Sequence, residues 1–265
     1  MKYLIILFFF VFQNSYSQTP TQRFFYEFKD KNSSKLYVLD INEESIKFYK
    51  NDFLISDSLY NVYKTDTNIQ NVSYDTDLAV IKNSSENEFI ELKSFDLIDY
   101  YLVKEEAIKQ DWKLEKERKN ENGFSLQKAT LKYKGRDWTA WYCSDIPLPY
   151  GPYKFGGLPG LIFELYDAEN MFHFSLTKLQ KLNSVYDTSN FLENDFGFKR
   201  RIISDKVYNK MLKEYYMNPL NYSQKTEGNT EVDYQQTKNS NDETRRRLEK
   251  LDKENIEIQN ILGKK

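Results

Sequence analysis

The chain has 265 residues, a formal net charge of −2 and an aromatic content of 16%. That length suits one large or two small domains. The near-neutral charge excludes the basic stripe that nucleic-acid binding requires, so no nucleic acid is expected as a partner. Because Cys143 is the single cysteine, no disulfide can form within the chain, and stability must come from the core. The abundant aromatic side chains bury large areas and favour strands.

The N-terminus has the pattern of a secretory signal. One basic residue precedes an uncharged apolar run, 3–12, which is too short to span a bilayer but fits a signal-peptide core. The small residues Ser15 and Ser17 place cleavage before Gln18. An uncleaved signal anchor is the alternative. We therefore expect 1–17 to be a signal peptide and the protein to be periplasmic or secreted, without a membrane span in the mature chain.

The first half of the mature chain favours strands that are separated by polar turns. Alternation over 23–29 and two β-type runs around a polar turn, 36–39 and 46–49, predict a strand and a hairpin. The polar stretch 51–87 predicts loops with one or two weak strands. The apolar stretch 95–103 fits either helical or strand periodicity.

The middle of the chain predicts an antiparallel meander. Glycines at Gly123 and Gly135 and the polar residues 167–170 mark its turns. The strand segments that these turns separate are 113–119, 124–133, 138–143, 161–166 and 171–179.

The last part of the chain favours helix. Ser204 and Asp205 can cap a helix with one apolar face, formed by Val207, Met211 and Tyr215. Residues 222–265 combine a polar linker with a charged helical tail, which is either solvated or binds a partner. We predict an α+β, β-dominated domain over 18–221. It consists of a single curved antiparallel sheet, in the form of a half-barrel or a more open sheet, with helices late in the chain.

The segment 145–160 has an unusual composition. It holds four of the six prolines and four of the nine glycines, which predicts a fixed irregular path between two strands. The aromatic side chains in and just before it are a candidate surface for a glycan, a peptide or a lipid, and core packing is the alternative. These residues are Trp138, Trp141, Tyr150, Tyr153 and Phe155.

The stretch 157–162, Gly-Leu-Pro-Gly-Leu-Ile, resembles the motif that names the GLPGLI family of exported Bacteroidetes proteins, whose function is uncharacterised. Residues 123–130, 135–142 and 151–155 are also similar to the family pattern, so the resemblance covers 112–167. It marks a motif loop formed by Gly151, Pro152, Gly157, Leu158, Pro159 and Gly160.

The same resemblance implies a setting for the protein. It suggests a periplasmic accessory role near TonB-dependent outer-membrane receptor systems. Many family members carry a cysteine where this chain has Leu126, so any role of that cysteine does not transfer.

The sequence offers few candidates for catalytic or metal-binding residues. A lone His173 excludes a multi-histidine zinc site, and we expect it on a solvated strand face beside Ser175 and Thr177. A nucleophilic pair of Cys143 and His173 is conceivable, but a cysteine on a central strand is usually a buried hydrophobe. Acidic residues near 145–160 can catalyse glycoside hydrolysis if two of them lie at the right separation. Alternatively, they stabilise turns through local hydrogen bonds. They are Asp137, Asp145, Glu164 and Asp167.

We expect no metal, no cofactor and no catalytic residue. The leading function is a periplasmic binding or envelope accessory protein that uses the concave sheet or the segment 145–160. The alternative is a hydrolase of peptide or glycan with carboxylates near that segment. A binding protein should show an apolar groove lined by aromatic residues, and an enzyme should show convergent polar groups at a pocket floor.

Overall fold

The computed structural model describes residues 19–30, 33–63, 78–94, 100–195 and 198–217. The predicted signal peptide 1–17 and the predicted tail 222–265 lie outside these residues. The domain boundaries therefore stay predictions.

One large, open, curved sheet of twelve strands dominates the protein. The strands of the protein, in chain order, are β1 (Gln22–Lys29), β2 (Ser34–Ile41), β3 (Ser45–Lys50), β4 (Val80–Asn83), β5 (Glu88–Lys93), β6 (Tyr101–Glu106), β7 (Lys113–Glu121), β8 (Phe124–Tyr133), β9 (Arg136–Cys143), β10 (Leu161–Asp167), β11 (His173–Lys181), β12 (Asn194–Asp195), β13 (Phe198–Lys199) and β14 (Arg201–Ser204). All of these except β12 and β13 belong to the large sheet, in the order β14-β6-β5-β4-β3-β2-β1-β11-β10-β9-β8-β7.

This architecture confirms the predicted β-dominated α+β class with a curved sheet. The pair β6–β14 at one edge is parallel, which corrects the expectation of a purely antiparallel sheet. Strands β12 and β13 form a separate small ladder.

The prediction of loops over 51–87 was wrong at its start, where helix α1 spans Asp52–Tyr63. The stretch around this helix is rich in residues that favour turns, which is why its composition did not predict a helix. Tertiary packing stabilises it instead. The Phe53 ring is buried and stacks against Phe191 at a centroid distance of 5.6 Å.

An aromatic core packs on one face of the sheet. It brings residues of the N-terminal hairpins against residues of β8–β11. Phe28 and Phe174 pack with ring centroids 4.6 Å apart, and Tyr37 stacks on Phe48 at 5.1 Å. Each such pair adds about 0.5–1.5 kcal/mol beyond area burial. The aromatic composition is thus used for the core.

A second cluster covers the other side of β2–β6. Helix α1 and a π-helical turn, Ser189–Glu193, pack over it. Arg23 pairs with Asp40 through two hydrogen bonds of 2.7 Å, and its guanidinium lies 4.3 Å from the Tyr186 ring centroid. The buried charges here are therefore paired, as low-dielectric surroundings require.

Helix α2 spans Asp205–Met217, as the capping residues predicted. The Ser204 Oγ accepts the Val207 N–H at 3.3 Å. The apolar face differs from the prediction, because Val207 is exposed. Tyr208, Met211, Leu212 and Tyr215 pack toward β6 instead. Within the described part of the chain, no helix is both long and apolar enough to cross a bilayer.

Candidate functional site

The segment 144–160 crosses from the end of β9 to strands β5 and β6, far away in the sheet order. Tyr153 donates its phenolic hydrogen to Glu91 Oε1 at 2.6 Å. The Lys154 ammonium contacts Glu91 Oε2 and Glu105 Oε2, both at 2.9 Å. The two flanks of the open sheet are thereby tied together.

The connection between β6 and β7 holds the same segment from a second side. Gln110 uses both ends of its amide: its Nε2 donates to the Lys154 carbonyl at 2.8 Å, and its Oε1 accepts the Gly156 N–H at 3.1 Å. The Trp112 indole donates to the Gly156 carbonyl at 2.8 Å. Side chains thus satisfy backbone groups that no strand pairs, and the path of the segment is fixed.

A groove of about 480 Å³ opens between this segment and strands β3–β5. Its floor is apolar and buried, and half-buried Tyr150 and exposed Ile108 lie at its rim. The floor consists of Ile46, Phe48, Val80 and Phe89. A volume of this size is in the range of small-molecule sites.

Charges beneath the groove form a closed network. Glu91 also accepts Lys93 at 2.7 Å, and Glu105 accepts Lys134 at 3.1 Å. Burial opposes the ionisation of Glu91, but the charges of Lys154 and Lys93 and a hydrogen bond from Tyr153 hold its pKa well below the ordinary value. Glu91 therefore stays ionised and saturated with partners.

Two tyrosines beside this network resist ionisation. Burial, together with the charge of Glu105, raises the pKa of Tyr133 to about 12. Burial and the charge of Glu91 raise the pKa of Tyr153 well above its ordinary value. Because a raised folded-state pKa favours the neutral form, their contribution to stability is present below the unfolded pKa of about 10 and is lost as pH rises through the folded pKa.

This arrangement gives a pH prediction. In a titration followed at 295 nm, we expect Tyr133 and Tyr153 to remain protonated well above pH 10 and to ionise as the protein unfolds. The Tyr133→Phe variant should remove one late-titrating phenol and leave the earlier steps unchanged. Loss of an early-titrating phenol instead would contradict the assignment.

The predicted aromatic residues lie mostly in the interior. Trp138, Trp141, Tyr153 and Phe155 are buried, and the Phe155 ring packs on Trp138 at a centroid distance of 4.6 Å. Tyr150 is half-buried, and Tyr150, Tyr153 and Phe155 all line the groove. Three of these five residues, Tyr150, Tyr153 and Phe155, therefore form part of the groove wall. The other two, Trp138 and Trp141, pack in the core and do not line the groove.

The residues of the motif loop are also partly buried and partly exposed. Gly151, Pro152, Leu158 and Gly160 are buried, whereas Gly157 and Pro159 are exposed. Gly151 and Gly157 also line the groove.

The sequence did not indicate which residues form the floor of the groove, nor that Gln110 holds its outer wall. Ile46, Phe48, Val80 and Phe89 have the pattern of ordinary core residues, and nothing local distinguishes Gln110. Their role depends on the long-range contact of the segment 144–160 with β5 and β6, which no short window of sequence contains.

His173 lies beside Ser175 on the more exposed face of β11, where the alternation predicted it, and 28% of its side chain is exposed. Its Nε2 lies 2.7 Å from Glu164 Oε1 and 3.2 Å from Ser175 Oγ. In a catalytic triad, the acid and the nucleophile contact opposite ring nitrogens. Here both compete for one nitrogen, so these three residues do not form a triad.

The remaining candidates do not converge. Cys143 is buried beside Leu161 at one end of β10, whereas His173 lies beside Tyr166 near its other end. This separation argues against a nucleophilic pair. Among residues that the structure describes, no group of three or more His, Cys, Asp or Glu side chains is placed to hold a metal ion.

The four predicted acids are also separate. Asp167 Oδ1 accepts the N–H groups of Met171 and Phe172 at 2.7 and 2.9 Å, as a turn-stabilising carboxylate does. Glu164 pairs with His173, and Asp137 and Asp145 are exposed. No pair of them shares a pocket floor.

Part of the chain matches one protein family of unknown function. The family model described as "Protein of unknown function (Porph_ging)" matches residues 99–164, the stretch that runs from β6 through the segment 144–160 into β10. This stretch contains the motif 157–162, although the model does not bear the name of the GLPGLI family. No functionally curated protein matches the chain.

Among solved structures, the chain is similar to PNGF-II in two crystal forms, C2 and P21. The sequence identity is 15% and the TM-score 0.54 in both comparisons. The matches cover 75% and 74% of this chain, but only 33% and 34% of the PNGF-II chains. The likeness shows a shared fold over about a third of that protein's length.

Proposed function

We propose that this protein is a binding protein and that its ligand occupies the groove between the segment 144–160 and strands β3–β5. The observation that carries the proposal is an apolar, aromatic-lined groove of about 480 Å³. Hydrogen bonds from Gln110 and Trp112 fix its outer wall. A preformed wall reduces the ordering cost of binding.

Electrostatics favours binding over hydrolysis. A general acid needs a raised pKa and a free proton to donate, whereas Glu91 has a lowered pKa and three bonded partners, Tyr153, Lys93 and Lys154. Among the described residues, no Asp or Glu lines the groove. The hydrolase alternative therefore has no arrangement in its favour.

We place the binding protein in the periplasm, as an accessory of an outer-membrane receptor system of the TonB-dependent type. The signal-like residues 1–17 and the family resemblance support this setting.

A matched pair of variants tests the groove. Ile108 lines it and is 56% exposed, while Ile202 on β14 is 54% exposed and lies outside it. We expect Ile108→Asp to lose a small molecule that the wild-type protein retains from an envelope extract, because the new carboxylate opposes an apolar ligand. Ile202→Asp should retain it. Native mass spectrometry measures the retained mass.

Circular dichroism and thermal melts on both variants confirm folding. If the wild-type protein retains nothing, or if the two variants retain the same molecule equally, the groove is not the binding site.

A further inference from the structure

The charges that line the groove have one sign. Its charged lining residues are Lys82, Lys109 and Lys154, and no Asp or Glu is among them. Lys154 is neutralised by Glu91 and Glu105. The other two lysines are the cations that a ligand can meet.

Lys82 is half-buried at the edge of the apolar floor. Its Nζ lies 5.5 Å from the centroid of the Phe89 ring, and within the described ranges no carboxylate forms an ion pair with it. A partly desolvated ammonium beside apolar surface attracts an anion more strongly than a fully hydrated one does.

Lys109 lies at the same groove. It contacts Asp111 at 2.7 Å, but both side chains are largely solvent-exposed, at 87% and 78%. Such exposed pairs contribute little and exchange readily. An anionic ligand can therefore replace Asp111 as the partner of the Lys109 ammonium with little loss of free energy.

We propose, building on the proposed function, that the ligand is a small amphipathic anion. Its carboxylate or similar head group lies between Lys82 and Lys109, and its apolar body lies over Phe48 and Phe89. The size of the groove limits the ligand to a small molecule, and the apolar floor requires a body without many polar groups.

The test uses decanoate as the anionic probe and decanamide as its uncharged counterpart, both below micelle-forming concentrations. Isothermal titration calorimetry on the full chain should show 1:1 binding of decanoate and at least about tenfold weaker binding of decanamide, since a charge-assisted hydrogen bond is stronger than one to a neutral amide. Decanoate binding should also weaken as the salt concentration rises.

Two lysine variants locate the head group. Lys82→Gln should weaken decanoate binding about tenfold and leave decanamide binding unchanged. Lys132→Gln makes the same chemical change at a side chain that is 89% exposed and outside the groove, and it should leave both unchanged.

The outcomes separate this inference from the proposed function. Equal binding of both probes, with no effect of Lys82→Gln, overturns the anionic ligand class while the groove remains a binding site. Absence of decanoate binding also overturns the inference. In that case, the proposed function still stands if the wild-type protein retains a molecule from the extract and Ile108→Asp does not. If that experiment fails too, both the inference and the proposed function are wrong.

Discussion

Replacing Gly160 by alanine should destabilise the protein by about 3 kcal/mol or more, or prevent folding. A Cβ at this position would lie 2.1 Å from the Cys143 carbonyl oxygen, 2.6 Å from its carbonyl carbon and 2.9 Å from the Ser144 Cα. These are backbone atoms at the end of β9, and they cannot rotate out of the way. The segment 144–160 would have to lift off the sheet. Denaturant unfolding measures the change in the free energy of unfolding.

Gly157 provides the matched control within the same motif. It has a φ of 85°, and no heavy atom lies within 4 Å of the position of an added Cβ. The Gly157→Ala variant should therefore lose only about 1–2 kcal/mol, the cost of a left-handed backbone for an L residue. If the two variants unfold at the same denaturant concentration, the close contact between Gly160 and β9 does not restrain the segment.

The contrast between these glycines gives a physical reason for the motif 157–162. Gly157 supplies a backbone conformation, and Gly160 supplies a close approach. The composition of the segment predicted a fixed irregular path, and the structure bears this out. It could not predict which glycine served which purpose, because that depends on the position of Cys143 across the turn.

Much of the sheet could be predicted because its signals are local. Alternating residues in 23–29 and the glycine turns at Gly123 and Gly135 act over a few positions, and the strands follow them. Both glycines have positive φ values, as tight turns require. Helix α1 could not be predicted in the same way, because its Phe53 is held by Phe191, a partner from much later in the chain.

The groove was predictable only in outline. The sequence indicated that Tyr150, Tyr153 and Phe155 either pack on the sheet or face a ligand. The structure places two of the three in the interior while leaving them in the groove wall. Lys154, between two of these aromatics, gives no local sign that it is buried. Its partner Glu91 is 63 residues away, so only the folded chain brings the pair together.

This buried pair leads to the prediction that tests how the segment 144–160 is held. Changing Lys154 to methionine should cost about 3–5 kcal/mol at neutral pH, the usual penalty for removing one partner of a buried ion pair. The Lys154 side chain is only 2% exposed, so the vacated site stays dry. Glu91 and Glu105 would each lose a bonded ammonium. Chemical denaturation at several pH values measures the loss.

The pH dependence identifies the cause of the loss. In the wild-type protein the pKa of Glu91 is lowered, so its ionised form contributes stability above the unfolded pKa of about 4.3, and this contribution is lost as pH falls through the folded pKa. Without Lys154, one charge that lowers this pKa is gone while burial still raises it. We therefore expect the gap between wild type and Lys154→Met to be largest at neutral pH and to narrow toward pH 4.

Lys132→Met is the control for the loss of a lysine charge. Its side chain is 89% exposed and lies 3.6 Å from Asp137, so its removal should change stability by less than about 1 kcal/mol. It should also leave the pH profile unchanged. A Lys154→Met variant with a pH-independent loss would mean that methylene packing, and not the charge on Glu91, holds the segment to strand β5. Combining Lys154→Met with Glu91→Gln should then recover nothing. The ionic account instead expects the double variant to regain part of the stability, because a neutral amide replaces the buried carboxylate that has lost the Lys154 ammonium.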